Sequence, residues 1–337
     1  MHRYKYALVF ATPTNKRRRT DDQEAQIHKN EELWLPDGNI VIVASDGTAY
    51  RVLKSFLGLH SEVFRDLFSA ANTSSDEKFD DCDVVRLPDP PRDVYHLLMA
   101  LHFRSHVTTE PGVQMSFVML CSLMRACSKY LVEDLKKEVK AHLMTLFPST
   151  LKGYRSSTRL EGVASDFNGI LGIVVGEECL PDILPVAYYE CAIRPIENTL
   201  DGVDIGGQRV TLSPEAQRTA FLFRQRFRDF VSSSANLAQM FSEERAQWDR
   251  TRDECQEEGL DCALALEASY YRSPDSNVIM NLAMDDQGFT QGWELCESCK
   301  TMLEEIEREF QDDVWRMLPT WCGLEGWHAL KDNSGTQ

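Results

Sequence analysis

The sequence predicts an α+β fold, with a small β-sheet capped by helices over residues 31–148 and a mainly α-helical C-terminal domain over residues 149–337. Three observations carry this. The apolar, β-branched run Ile40-Val41-Ile42-Val43 and a second strand at 49–53 flank the turn Asp46-Gly47 as the two arms of a hairpin. Farther on, apolar residues recur at three- and four-residue steps, the period of helices with one buried face. A 43% apolar content over 337 residues suffices for a packed globular protein.

Residues 1–30 mix charge and polarity without a periodic apolar signal after Phe10, and read as a flexible basic arm. Within it, Lys16, Arg17, Arg18 and Arg19 form the short basic patch that nuclear import receptors read. A short strand at residues 4–10 is a further expectation. Order is expected from Trp34, where Asp37-Gly38-Asn39 turns the chain into the first strand. The second strand passes directly into a helix around 55–59. Ser61 then caps a helix whose face carries Val63, Phe64, Leu67 and Phe68. An acidic, Ser-rich loop at 70–83 leads to a third strand at 84–87, closed by Pro88. Val94, Leu97, Leu98 and Leu101 define a helix over 92–102. Phe117, Leu120, Met124, Cys127 and Leu131 define the next, and Val132, Leu135, Val139, Leu143 and Leu146 another that Pro148 stops.

Composition limits the function classes. Subtracting 53 acidic from 36 basic side chains leaves −17, a charge that repels nucleic acid and anionic membranes from the body of the chain. No apolar run approaches the roughly 18–20 residues of a membrane span, and no N-terminal run has the features of a secretory signal. The expectation is a nuclear or cytoplasmic protein, whose ten cysteines are reduced thiols or metal ligands.

The strand and helix order over 32–147 resembles a BTB/POZ domain. The residues that carry the resemblance are Leu35-Pro36-Asp37-Gly38-Asn39-Ile40-Val41-Ile42-Val43, Tyr50-Arg51-Val52-Leu53-Lys54-Ser55-Phe56-Leu57, Ser61-Glu62-Val63-Phe64-Arg65-Asp66-Leu67-Phe68 and Val84-Val85-Arg86-Leu87-Pro88-Asp89. With the basic arm, the Trp-x-x-Asp-Gly-Asn opening and the Val-Trp-x-x-Leu-Pro near the end, the chain is similar to BTB proteins of basidiomycete fungi. The resemblance implies a non-enzymatic interaction protein or adaptor, paired with itself or with another BTB protein. In some members the partner is a cullin scaffold of a ubiquitin ligase. Two departures stand out. Leu53 occupies a position where many members carry a histidine near the first-strand Asp, which predicts an apolar core there. The cullin-facing loop lacks the apolar residue two before a Glu, since Ser75 precedes Glu77.

The C-terminal half shows no repeat of fixed period. A helix over 181–193 places Leu184, Ala187, Tyr188 and Cys191 on one face, and Ser213-Pro214-Glu215 opens another whose Phe221, Phe223, Phe227 and Phe230 read as a core ridge. The last helix, over 302–318, turns Leu303, Ile306, Phe310, Val314 and Met317 inward. Just before it, Cys296 and Cys299 form a Cys-x-x-Cys step, and Cys255 and Cys262 form a second pair upstream. Four thiolates so grouped predict one structural zinc ion, although six residues separate the upstream pair. A DNA-touching nuclear transcription regulator conflicts with the −17 balance, and a thiol oxidoreductase needs a strand where Gly288 to Gly292 reads as loop. His102 and His106, four apart, lack the neighbouring Glu of a zinc-hydrolase helix and read as surface or capping residues. Gly169 and Gly172 lack the third glycine of a dinucleotide loop.

Overall fold

The computed structural model describes residues 27–71, 77–103, 106–107, 116–155, 168–205, 208–233 and 296–327. Its main sheet has five strands, β1 (His28–Trp34), β2 (Ile40–Val43), β3 (Thr48–Val52), β4 (Lys78–Phe79) and β5 (Cys82–Arg86), in the order β1-β3-β2-β5-β4. The hairpin expected around Asp46-Gly47 is present, with β2 antiparallel to β3 and Ile42 opposite Tyr50. Asp46 ties that turn by accepting from the Thr48 N–H and hydroxyl, and Gly47 takes the positive φ it requires. β5 then runs parallel to β2.

Two strands of this sheet lie where the sequence shows no strand pattern. β1 is a polar heptamer that pairs in parallel with β3 and occupies the last residues of the expected arm as well as Trp34. β4 lies inside the expected 70–83 loop and turns into β5 through Asp80 and Asp81, both at positive φ. These edge strands approach each other although three strands separate them. Trp34 meets Phe79 edge-on at 6.0 Å, and Lys29 pairs with Asp80 while lying over both rings. The sheet is therefore curled around a small core of Val41, Val43, Ala49, Cys82 and Val84. Ile40, Ile42, Tyr50, Val52 and Val85 face the larger core under the helices. With both faces covered, β2 needs the unbroken apolar run it has.

The helices of this half are α1 (Lys54–His60), α2 (Glu62–Ala71), α3 (Pro91–His102), α4 (Phe117–Tyr130) and α5 (Glu133–Leu146). Beyond them come α6 (Leu151–Tyr154), α7 (Asn168–Glu178), a 3-10 turn at Pro181–Ile183, α8 (Leu184–Ala192) and α9 (Ile196–Asp201). The strand pair β6 (Val203–Ile205) and β7 (Gln208–Val210) then precedes α10 (Pro214–Ser233) and α11 (Glu297–Trp321). Ser213 caps α10 as expected, its hydroxyl accepting from the Ala216 N–H.

The two halves share a core. α7 packs on α4, and one cluster of buried apolar residues runs from Leu33 to Trp321. α8 is its centre, with every residue from 185 to 192 buried, so its expected apolar face is only part of its contact surface. α7 reaches α8 through glycines. A Cβ at Gly169 would lie 2.7 Å from the Cys191 backbone nitrogen, and one at Gly172 2.9 Å from the Ala187 Cβ. The pair, which lacks the third glycine of a dinucleotide loop, is a helix-packing surface. α11 closes the far side, burying Val314, Trp315, Leu318 and Trp321, with Trp315 donating to the Ser149 carbonyl at 3.2 Å.

Candidate functional site

The α1–α2 hairpin is the best-defined presenting surface of the N-terminal half. The Asn39 side chain, in the turn before β2, accepts from the Lys54 N–H at 2.8 Å and so caps α1 as β3 ends. Ser61 makes the corner between the helices. Its buried hydroxyl accepts from the Phe64 N–H at 3.1 Å and donates to the Tyr130 carbonyl at the end of α4. Phe64 stacks on Tyr130 with ring centroids 4.6 Å apart, and Tyr130 is held in turn by a hydrogen bond to Asp89. Leu57, Phe64 and Phe68 face the core, while Leu59 is 73% and Leu67 36% exposed. Leu67, expected on the buried face with Val63, Phe64 and Phe68, is thus at the surface. Leu53 is half-buried and Asp37 exposed, so the apolar core expected at that pair does not form. Arg51 anchors the turn instead by donating to the Gly38 carbonyl at 2.8 Å.

A titratable cluster joins β1 to α3. His96 Nδ1 and His106 Nε2 share a hydrogen bond of 3.2 Å, their rings stacked 5.4 Å apart, with Tyr95 edge-on to both. Burial, reinforced by the neighbouring His106, pushes His96 down to about 4, with Asp93 opposing and Arg92 adding to the fall. Burial also lowers His106, against the pull of Glu32. Glu32 accepts from Tyr95, whose hydroxyl burial and that carboxylate push up to about 12. Two neutral imidazoles sharing one proton suit a structural latch. No group of three or more metal-binding side chains occurs among the described residues. His102 caps α3 through the Leu98 carbonyl at 2.8 Å, and His106 pairs with His96, which periodicity alone does not reveal.

This cluster gives stability a definite pH dependence. The folded-state values of His96 and His106 lie below the ordinary 6.5. The unfolded chain therefore binds more protons in the window below that value, and stability present above pH 6.5 is lost as the pH falls toward 4. Replacing His96 by Phe is expected to flatten that slope by about 1–2 kcal/mol, discounted for partial solvent exposure. Urea denaturation at pH 7 and pH 5 measures it, and identical slopes in the two proteins contradict it.

The cysteines divide. Cys121, Cys127, Cys179, Cys191 and Cys322 have thiol pKa values raised by burial, Cys127 and Cys322 to about 12, so they stay protonated and are poor nucleophiles. Cys296 is buried at the N-cap of α11, and the first helical turn carries Cys299. Cys255 and Cys262 lie outside the described residues, as do Lys16, Arg17, Arg18, Arg19 and the strand expected at 4–10. No helix among the described residues is long and apolar enough to cross a membrane.

The BTB/POZ domain family matches residues 36–146, from the turn before β2 to the last residue of α5. No curated protein and no solved structure matches the chain significantly. A curled mixed sheet with α1 and α2 following its hairpin, α3 against β3, α4 against α3 and α5 against α4, agrees with that match. The chain therefore carries a BTB/POZ domain at residues 36–146, a module of protein–protein interaction that is typically non-enzymatic.

Proposed function

We propose that the protein is a self-associating interaction module, pairing with a second copy of itself through the α1–α2 hairpin. The observation that carries this is Leu59, a large apolar side chain 73% exposed on a helix whose opposite face is locked into the core. The sheet edges are poor alternatives. β1 presents Lys29, Glu31 and Glu32, and β4 has two residues, one of them Lys78, and such charged or short edges resist strand pairing. Helix packing is then the available mode, and the shared core makes the C-terminal half move with the domain. Sedimentation velocity of the full chain at roughly 50 μM, well above the dissociation constant of an ordinary dimer, should give a dimer. A monomer at that concentration defeats the proposal.

Cullin docking is the weaker reading, because Glu77 pairs with Arg86 at 2.6 Å along the sheet rather than following an apolar residue in a recognition loop. Nuclear entry through Lys16, Arg17, Arg18 and Arg19 rests on the basic patch itself. A zinc ion held by Cys255, Cys262, Cys296 and Cys299 rests on the spacing of the four cysteines. When bound, zinc would tie α11 to the segment before it. Elemental analysis of untagged protein is expected to give about one zinc per chain, and less than about a tenth rejects the site.

A further inference from the structure

We infer that self-association through the α1–α2 hairpin is gated by pH, with His60 and His102 as the groups whose protonation releases the second copy. The inference rests on the dimer proposed above and adds its regulation. Leu59, the exposed anchor of that surface, has Phe56 three residues before it, and His60 follows Phe56 by four, so the three side chains share one side of α1. Phe56 lies between two imidazoles, its ring centroid 4.9 Å from that of His60 and 5.2 Å from that of His102 at the end of α3. Phe103, the next residue, is 38% exposed and adds apolar surface at the same end of α3. A second copy that covers Leu59 therefore comes against the edge formed by Phe56 and His60. A two-fold contact brings the same edge in return.

The surroundings of the two imidazoles disfavour a charge. His102 donates from Nδ1 to the Leu98 carbonyl at 2.8 Å, which leaves its Nε2 as an acceptor, buried and without a partner among the described residues. Burial lowers its pKa, the Leu98 carbonyl opposes, and His60 adds to the fall. His60 is exposed in the single chain, and a second copy laid over it removes the water that solvates its cation. From α2, which packs on α1, the neighbouring charges are Glu62, Arg65 and Asp66, with Glu62 turned to Arg65 at 3.5 Å. On α1 itself Lys54 lies over the Phe68 ring, and from α3 the facing group is His102. The dimer then binds fewer protons than two free chains. It is favoured above the histidine range and weakened as the pH falls through it. Two imidazoles held neutral, one from each copy, weaken a dimer about tenfold between pH 7.5 and 6.0. Overall charge pulls the other way, because a chain of net charge −17 loses self-repulsion as it is acidified. A loss of dimer on acidification therefore has its origin in the interface.

Sedimentation equilibrium of the full chain at pH 7.5 and 6.0, at equal ionic strength, should show the dimer dissociation constant raised about tenfold at the lower pH. His60→Phe keeps an aromatic ring against Phe56 and removes the titrating nitrogen, so this variant should dimerise with the same constant at both pH values. His60→Gln is a second neutral variant with the same expectation. Both retain His96 and His106, so a loss of dimer that comes from that cluster persists in them and overturns the inference. A parent dimer that is unchanged or tighter at pH 6.0 also overturns it, while leaving self-association standing. So does the failure of both neutral variants to form a dimer whose constant stays level between the two pH values. A parent chain that is monomeric at both pH values rejects self-association itself, and the pH gate with it.

Discussion

Replacing Leu59 and Leu67 by glutamate is expected to turn the full chain from a dimer into a monomer in sedimentation. A two-fold interface uses each side chain twice, so each leucine lost removes two apolar contacts. At about 1.5–3 kcal/mol per buried leucine, with a carboxylate forced into the same place, the dimer weakens by roughly three orders of magnitude or more. The fold should be untouched, since both side chains project from the surface while Leu57, Phe64 and Phe68 hold the hairpin to the core. Unchanged thermal unfolding of the monomeric variant would locate the loss at the interface. A variant that still dimerises would move self-association elsewhere on the molecule.

The second large effect is expected inside the domain, at the pair formed by Asp93 and Arg125. The guanidinium donates from Nε and Nη2 to the two carboxylate oxygens at 3.1 and 3.0 Å, joining α3 to α4. Asp93 is buried, and Arg125 is largely so beside Cys121 and Glu178. Among the described residues, Asp93→Ala leaves that cation with Glu178 as its acidic neighbour, whose own pKa burial raises, and should cost about 3–5 kcal/mol in urea denaturation. Replacing both partners by apolar residues of similar volume, as in D93L/R125M, should recover most of the loss, because no uncompensated charge then remains. If the double variant is as unstable as Asp93→Ala, shape rather than charge holds that contact.

The difference between these two sites shows how much a sequence can declare. Val94, Leu97, Leu98 and Leu101 announce α3 by their period, as do the apolar steps of α4 and α5, since one buried helix face imposes a 3.6-residue repeat. The same period does not say which cation meets Asp93, since that partner lies 32 residues away on another helix. Likewise His96 becomes visible as a functional group only once His106 is beside it.

By itself the sequence determined the α+β class, the hairpin around Asp46-Gly47, the helices of the N-terminal half and, in the C-terminal half, α8, α10 and α11, all of which rest on local periodicity, turns and caps, whereas α6, α7 and α9 carry no such signal; the BTB resemblance rests on its residue motifs. Only the tertiary structure decided the rest. β1 is a strand because β3 offers it hydrogen bonds and Leu33 a place in the core, although its other residues are mostly polar. Gly169 and Gly172 are spacers because α8 passes against them. Leu59, Leu67 and Phe221 are surface residues because nothing among the described residues covers more of them, and hydrophobicity alone does not tell a core side chain from a docking one.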